Sequence, residues 1–198
     1  MPSESQTHWR LFCAIELPDA LKARVAEHVA RLRSTFTHVR ASWEKPEKLH
    51  ITLKFLGDVE VSRVEELARA SRRAAEKVCP FELTIEEAGV FPPHGQPRVL
   101  WLGIGGDDVR LSSLHQSLED ECAAAGFPRE TRAFRPHLTV ARLRSPQDAR
   151  KLAAAHLEAG FEPQTFKASE LVLMRSELGR GGSRYDVVSR APFSVETA

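Results

Sequence analysis

Two short stretches with the same polar and apolar order constrain this chain more than any other feature. Residues 49–53 read LHITL and residues 136–140 read PHLTV. Because side chains of a β-strand alternate between its two faces, His50 and Thr52 project to one side, and so do His137 and Thr139. Each stretch therefore predicts a strand that buries one face and presents an imidazole and a hydroxyl group on the other.

The presence of two copies of this pattern is stronger evidence for a functional site than either copy alone. With 8 histidines in the chain and threonine at roughly one residue in twenty, roughly 0.4 His-x-Thr pairs are expected by chance, and well under 0.1 when both flanking positions are apolar. One copy alone is more typical of a strand histidine without chemistry. Two copies indicate a site built from matched halves.

Apolar periodicity predicts alternating strands and helices along the rest of the chain. The predicted strands are 10–17, 39–43, 49–57, 81–86, 98–103, 134–142, 166–175 and 184–190. The predicted helices are 18–36, 61–78, 108–125 and 146–157. A proline-rich loop at 91–97 marks the centre.

The predicted elements follow a similar order in the two halves, and the motif histidines lie close to half the chain apart. This pattern favours an α+β fold with two similar lobes, each of which contributes one His-x-Thr strand to a common cleft. We treat residues 1–198 as a single domain in which the two lobes are interleaved.

Charge and cysteine usage narrow the class of protein. The formal net charge is only +1, so the chain has no global field for gripping long duplex nucleic acid, whereas a small anion or one RNA end fits. Cys13, Cys79 and Cys122 are scattered and odd in number, which is typical of reduced thiols. The polar start lacks a signal-peptide pattern and no apolar run reaches membrane-spanning length, so we expect a cytoplasmic protein.

Four stretches together resemble the 2H phosphoesterase superfamily, which is named for two His-x-Thr/Ser-x motifs in one chain. They are residues 10–18 (RLFCAIELP), 49–57 (LHITLKFLG), 134–142 (FRPHLTVAR) and the segment from Ser176 to Tyr185. Within that superfamily the chain is most similar to the bacterial and archaeal RNA 2′,3′-cyclic phosphodiesterases, historically called 2′-5′ RNA ligases. The stretches occur in order over nearly the whole chain, with no departure at the motif positions.

The resemblance implies a pseudo-twofold α+β fold in which antiparallel sheets line a central cleft and helices lie outside. It also implies metal-free hydrolysis of a 2′,3′-cyclic phosphate at an RNA end, which leaves a 2′-phosphate and needs no cofactor. It assigns His50 as the acid and His137 as the base. The same resemblance makes Thr52, Thr139 and Arg142 phosphate ligands, with Phe55 and Phe12 as candidates for stacking on a base.

The chemistry of the motif residues agrees with this assignment independently. Opening a cyclic phosphate requires one group to activate water and another to protonate the departing oxygen. Two imidazoles can do both, one neutral and one protonated, with each supplying roughly 10²–10⁴-fold. The hydroxyl groups can donate hydrogen bonds to phosphate oxygens, and an arginine can stabilise phosphoryl charge.

Several site residues have a second interpretation. Strict alternation from His137 sends Arg142 to the face opposite Thr139, so a bulge or a strand end must turn it inward, or it is a surface cation. Phe55 has the same parity problem and core packing explains it equally well. Lys54 shares the predicted face of His50 and is interpreted as a solvated lysine.

The other histidines have no partner signature and are predicted at the surface. Binding of zinc is the rival interpretation of the motif histidines, but a zinc site usually needs a third protein ligand. Neither motif offers one at a familiar spacing.

Three functions remain open from the residues alone. The first is hydrolysis of 2′,3′-cyclic phosphates on RNA ends or nucleotides. The second is the reverse reaction, 2′-5′ ligation, which uses the same residues. The third is a non-catalytic nucleotide-binding module, which does not need two proton-transfer groups. We expect a monomer without an obligatory protein partner or a membrane association.

Overall fold

The computed structural model describes residues 7–144, 146, 148–179 and 182–194, and within them the chain forms nine strands and four α-helices. The strands are β1 (His8–Glu16), β2 (Ala41–Trp43), β3 (His50–Glu60), β4 (Phe81–Phe91), β5 (Val99–Gly106), β6 (His137–Leu143), β7 (Gln164–Ala168), β8 (Glu170–Gly179) and β9 (Gly182–Pro192). The helices are α1 (Asp19–Thr35), α2 (Val64–Ala75), α3 (Asp108–Ala124) and α4 (Ala149–Ala159).

The strands assemble into two antiparallel sheets, and each sheet contains one motif strand. The first sheet has the order β3-β1-β8-β9 and the second the order β2-β6-β5-β4-β7. The two motif strands, β3 and β6, lie in different sheets but approach to within 8 Å between Cα atoms. The predicted α+β fold with two lobes and antiparallel sheets around a cleft is confirmed.

The lobes interleave along the sequence. Strand β2 falls between the two strands that open the first sheet, yet it pairs with β6 of the second sheet. The last two strands, β8 and β9, return to the first sheet, where β8 pairs with β1. The first lobe is therefore assembled from both ends of the described chain.

The helices cover the sheets with the apolar faces that their spacing predicts. In α1 the residues Leu21, Val25, Val29 and Leu32 are buried, at the helical spacing seen in the sequence. In α2 one face is rich in small buried residues and the opposite face carries exposed glutamate and arginine. None of the helices in the ranges given above is long and apolar enough to cross a membrane.

Most predicted elements are confirmed to within a few residues, but the strand at 166–175 is wrong. That segment contains two strands, β7 and β8, separated at Ser169. Strand β7 pairs with β4 of the second sheet, whereas β8 pairs with β1 of the first. Only Ser169 separates the two strands, and no glycine or proline marks the turn, so the sequence conceals the crossing between sheets.

The prediction that all non-motif histidines lie at the surface is wrong for two of them. His28 on α1 and His156 on α4 are 1% and 0% exposed. His156 Nε2–H donates to the Trp101 carbonyl oxygen (3.0 Å), and His28 Nε2–H donates to His156 Nδ1 (3.1 Å). The pair fastens α1 and α4 to strand β5.

Candidate active site

Each motif histidine is oriented by its own backbone. The Nδ1–H of His50 donates to the carbonyl oxygen of Lys48 at 2.6 Å, and the Nδ1–H of His137 donates to that of Arg135 at 2.8 Å. Because a carbonyl oxygen can only accept, the hydrogen bond fixes a proton on Nδ1 in both rings. The Nε2 atom of each neutral ring is thereby left as the basic nitrogen.

Both rings line one cleft of about 360 Å³. All seven residues predicted for the site line it as well: Phe12, His50, Thr52, Phe55, His137, Thr139 and Arg142. The sequence prediction thus gathered residues that the fold brings together from both sheets.

A β-bulge one residue after each motif threonine solves the parity problem of Arg142. In the pairing of β5 with β6, Leu100 lies opposite Ala141 and Trp101 opposite Thr139, so Val140 is an extra residue. Val140 and Ala141 are both buried. The bulge resets the alternation and turns Arg142 to the face of Thr139, as the inward interpretation required.

Strand β3 carries the same irregularity at the equivalent place. Cys13 lies opposite Lys54 and Ala14 opposite Thr52, so the extra residue is Leu53. The bulge turns Phe55 to the cleft side, where it is 42% exposed. Phe55 therefore occupies in the first half-site the position that Arg142 occupies in the second, and core packing is not its role.

The same bulge makes the prediction of a solvated Lys54 wrong. Lys54 is 3% exposed. Its Nζ donates to Glu119 Oε1 at 2.7 Å and to the Pro128 carbonyl oxygen at 2.9 Å. Burial of both charges is compensated by this pairing, which ties β3 to α3 behind the cleft.

His50 is enclosed by aromatic rings. Its ring centroid lies 4.8 Å from that of Phe12 and 5.2 Å from that of Tyr185, and the Tyr185 ring meets it edge-on. Burial is the main reason that the pKa of His50 is lowered, although the bond to the Lys48 carbonyl opposes the shift. Thr52 Oγ1 lies 3.1 Å from His50 Nε2, so the hydroxyl donates to the neutral ring.

Phe12 itself is only 3% exposed. Its ring packs against His50 and Tyr185 and belongs to a small buried cluster with Ala14, Val172 and Met174. Base stacking by Phe12 stays a prediction, but the contact that the structure describes is a support for the His50 ring.

His137 is half buried and has a different aromatic support. Phe91 meets it edge-on at 5.2 Å between centroids, and Phe91 packs in turn on Trp101 at 5.1 Å. Gly89 makes room for the indole, because a Cβ atom there would lie 2.0 Å from Trp101 Cζ2. The smallest residue on β4 thus allows the stack that holds His137 in place.

Arg142 faces the cleft beside a carboxylate. Its Nε lies 4.0 Å from Glu44 Oε1, at the edge of ion-pairing distance. Burial raises the pKa of Glu44, while Arg142 opposes that shift. The Arg142 side chain is more than half exposed, so it can reorient toward an anion in the cleft.

Sequence reasoning missed several cleft residues, chiefly those supplied by the strands beside the motifs. They are Arg10, Glu44, Lys48, Ser176, Leu178, Ser183 and Tyr185. Arg10 stacks over the Phe55 ring at 4.7 Å. Tyr185, whose pKa is raised by burial, ends one of the stretches that carried the family resemblance, which was the available signal.

The described parts of the chain contain no group of three or more His, Cys, Asp or Glu side chains arranged to hold a metal ion. Cys13 and Cys122 are buried and unbridged, and burial raises the pKa of Cys13 to about 12. Neither thiol lines the cleft.

Comparison with known proteins agrees with this geometry. Residues 17–180 match the model of the 2′-5′ RNA ligase superfamily. The chain is 38% identical over 182 residues to an RNA 2′,3′-cyclic phosphodiesterase of Methanothermobacter thermautotrophicus, covering 89% of this chain and 94% of that protein.

Solved structures share the fold. The crystal structure of TT0787 of Thermus thermophilus has a TM-score of 0.76 and 24% identity, covering 95% of this chain and 100% of that one. The crystal structure of Escherichia coli LigT complexed with 3′-AMP has a TM-score of 0.74 and 26% identity, covering 94% and 98%.

Proposed function

The chain belongs to the 2′-5′ RNA ligase superfamily, and on that premise we propose that it is an RNA 2′,3′-cyclic phosphodiesterase that produces 2′-phosphate ends. The observation that carries the proposal is the matched pair of imidazoles. Both line one cleft, and each has its Nδ1 proton fixed by the carbonyl oxygen two residues earlier. Two basic Nε2 atoms at one cleft are the arrangement that acid–base hydrolysis of a cyclic diester requires.

The proposed reaction is a single in-line displacement. His137 Nε2 accepts a proton from water as the water oxygen attacks phosphorus, and the bond between phosphorus and the 3′ oxygen breaks. Protonated His50 delivers its Nε2 proton to the departing 3′ oxygen. The 2′ oxygen keeps the phosphate, and each histidine ends in the opposite protonation state.

The phosphate is held by the residues between the two rings. Thr52 and Thr139 donate hydroxyl hydrogen bonds to nonbridging oxygens, and Arg142 supplies positive charge where negative charge accumulates. Thr52 has a second role, because it also contacts His50 Nε2 at 3.1 Å. When His50 is protonated, its Nε2 can no longer accept that bond, so the hydroxyl proton is free for phosphate and the Nε2 proton stays available for the 3′ oxygen.

Protonation of His50 is coupled to binding of the substrate. In the free cleft its pKa is lowered by burial, so the ring favours the neutral form. A cyclic phosphate carries one negative charge, and an anion beside the ring raises the pKa again. The acid is therefore charged mainly when there is a phosphate to receive its proton.

A nucleobase is proposed to stack at the mouth of the cleft. Phe55 presents an exposed ring there, with Arg10 over it at 4.7 Å, and an aromatic face accepts any base. Phe12 contributes by supporting His50, and Tyr185 closes the other side of that ring.

Incubation with a nucleoside 2′,3′-cyclic phosphate after exhaustive chelation tests the proposal. We expect turnover that survives EDTA and a 2′-phosphate as the dominant product in phosphorus NMR. A 3′-phosphate product would mean that the substrate lies the other way round. Loss of activity in EDTA with recovery on added zinc or manganese would overturn the metal-free mechanism.

A further inference from the structure

A row of arginines continues from the cleft along one face of the second sheet. Arg144 comes two residues after Arg142, so the two side chains project to the same side of the strand. Arg144 Nε and Nη2 also donate to the hydroxyl group of Ser42 at 3.2 and 3.1 Å, and Ser42 lies opposite Arg142. The backbone N–H of Arg144 donates to the carbonyl oxygen of Arg40 at 2.8 Å, which makes Arg40 its cross-strand neighbour on that face. We call Arg40 and Arg144 the arginine pair.

The arginine pair carries positive charge that no carboxylate compensates. Both residues are exposed, and neither lines the cleft itself. Among the residues that the structure describes, no carboxylate lies within 4.0 Å of either guanidinium group. The two acidic residues closest to the pair in sequence are engaged elsewhere, because Asp148 is bound to Lys151 at 2.9 Å and Glu44 lies 4.0 Å from Arg142. The pair is therefore available to an anion outside the cleft.

The cleft has two different ends, and the arginine pair continues one of them. Phe55 and His137 together line a second groove, and His50 does not line it. Arg142 lies close enough to His50 for its charge to add to the larger effect of burial in lowering the pKa of that ring. Phe55 thus marks the His137 end of the cleft, whereas Arg142 and the arginine pair beyond it mark the His50 end.

The structure of ribose then gives the direction in which an RNA strand leaves the cleft. The base is attached to C1′, next to C2′, whereas the 5′ carbon is attached to C4′, next to C3′. In the proposed reaction the base stacks on Phe55 and the 3′ oxygen departs at His50. The upstream strand is connected on the 3′ side of the sugar, so it leaves at the His50 end, past Arg142.

We propose that the arginine pair binds the first internucleotide phosphate upstream of the cyclic end and thereby favours RNA strands over single nucleotides. This inference rests on the proposed function, because it takes the positions of the base and of the 3′ oxygen from it. Two residues advance a strand by roughly 6.6 Å, a length comparable to one nucleotide of an extended backbone. A second phosphate therefore reaches Arg144 when the cyclic phosphate is at Arg142.

The contact between Arg144 and Ser42 prepares the guanidinium group for this role. Nε–H and one Nη2–H donate to the serine oxygen. The two protons of Nη1 and the second proton of Nη2 remain as donors on the outer edge of the group. A planar guanidinium group held in this way can bind two oxygens of one phosphate.

Two dinucleotides that end in a 2′,3′-cyclic phosphate isolate the effect of the upstream phosphate. One has an ordinary phosphate linkage and the other a neutral methylphosphonate linkage, with the same two bases. In both, the upstream nucleoside lacks its 2′-hydroxyl group, so the linkage is stable. We expect kcat/KM to be about 10-fold higher for the phosphate-linked substrate, the value of one hydrogen-bonded contact to a charged group. Raising the salt from about 50 to about 200 mM should reduce this ratio roughly 2- to 3-fold, as expected for one phosphate contact.

Substitution of either member of the pair should remove the preference. Arg144→Gln and Arg40→Gln should each bring the two kcat/KM values to within about 2-fold. The rate of each variant on the matching mononucleoside cyclic phosphate is the internal reference. Arg98→Gln is the control, because Arg98 is also exposed and in the same sheet, but it precedes Val99, which pairs with Arg142, and so projects to the opposite face. That variant should retain the full preference.

The outcomes separate this inference from the proposed function. Equal kcat/KM for the two dinucleotides in the unmodified protein overturns the role of the arginine pair and leaves hydrolysis standing. A preference that persists in Arg144→Gln and Arg40→Gln also overturns it, because the phosphate is then bound elsewhere. Loss of the preference in Arg98→Gln as well would overturn it in favour of an effect of overall charge. A protein that hydrolyses no 2′,3′-cyclic phosphate, with or without an upstream nucleotide, fails the proposed function itself.

Discussion

The two half-sites share a backbone design but differ in the side chains built on it. In each, the histidine Nδ1 bonds to a carbonyl two residues earlier and a bulge follows the threonine. In each half two buried residues follow the threonine, and the next side chain faces the cleft. That side chain is Phe55 in one half and Arg142 in the other. The repeated backbone thus supplies the same geometry twice, whereas the side chain at the equivalent position is an aromatic ring in one half and a cation in the other. On the proposed function, the ring suits a base and the cation suits a phosphate.

The histidines differ in environment as well. His50 lies between Phe12 and Tyr185, and burial lowers its pKa. His137 has Phe91 on one edge and also lines a second groove beside the cleft, together with Phe134 and Arg135. An enclosed ring on one side and an accessible ring on the other suit a leaving group that stays bound and a nucleophile that arrives from solvent.

The largest expected effect comes from replacing either motif histidine, and a second substrate then distinguishes the roles of the two rings. His50→Ala and His137→Ala should each lower kcat by about 10²–10⁴-fold, since each removes one proton transfer. A substrate with sulfur at the 3′ position needs little protonation of its leaving group. On that substrate His50→Ala should recover much of its rate and His137→Ala should not. Recovery by His137→Ala alone would reverse the roles, and recovery by neither would argue against proton transfer by these residues.

The next prediction compares the two side chains that follow the bulges. Arg142→Gln should lower kcat by about 10²-fold, because it removes charge stabilisation at the phosphoryl group. Phe55→Leu should instead raise KM by on the order of 10-fold through lost stacking, with kcat nearly unchanged. Arg33→Gln, at the exposed end of α1, is the control for loss of one positive charge. If both cleft variants altered kcat alike, the division between phosphate and base recognition would be wrong.

The threonines provide a smaller and sharper comparison. Thr139→Ala should cost roughly 10-fold, the value of one hydrogen bond to phosphate. Thr52→Ala should cost more, because Thr52 also contacts His50 Nε2. Serine at either position retains the hydroxyl group and should restore most of the rate in steady-state assays. Equal losses at the two positions would show that the His50 contact has no kinetic role.

The environment of His50 predicts where activity fails in acid. The form with both rings protonated is inactive, and the acid limb of kcat/KM follows the lower of the two pKa values. Because burial lowers the pKa of His50, that limb should lie below the ordinary histidine value of about 6.5. Tyr185→Ala uncovers the ring and should move the limb upward, whereas Tyr185→Phe should leave it in place. An unchanged limb in Tyr185→Ala would assign it to another group.

The buried pair of His28 and His156 allows a separate test, away from the cleft, of whether burial lowers the pKa of a histidine in this fold. Burial lowers the pKa of His28 to about 4, so between about pH 6.5 and pH 4 the unfolded chain takes up a proton that the folded protein does not. This residue should therefore reduce the free energy of unfolding by up to about 1.4 kcal/mol per pH unit as the pH falls through that window. Denaturation of His28→Gln should show a shallower pH dependence. A matching slope in the variant would mean that His28 is already protonated in the fold.

The residues that line the cleft were easier to predict from the sequence than the contacts behind it. The His-x-Thr pattern is local, so both rings, both hydroxyls and the residues turned by the bulges were identified from spacing and resemblance. Lys54 was misplaced because a bulge changes parity without a composition signal, and its partner Glu119 lies 65 positions away. His28 and His156, 128 positions apart, were missed for the same reason. The spacing of residues within a strand or helix carries no information about a partner that lies far away in the sequence.

The interleaving of the sheets has a consequence for synthesis of the protein. Strand β1 leaves the ribosome well before β8, the strand that becomes its second neighbour. A nascent chain that stops before β8 contains both motifs but lacks Tyr185 and half of the first sheet. Contacts between such distant segments form late and fold slowly. Completion of the first sheet, and with it the enclosure of His50 by Tyr185, therefore waits until the last strands of the described chain have been made.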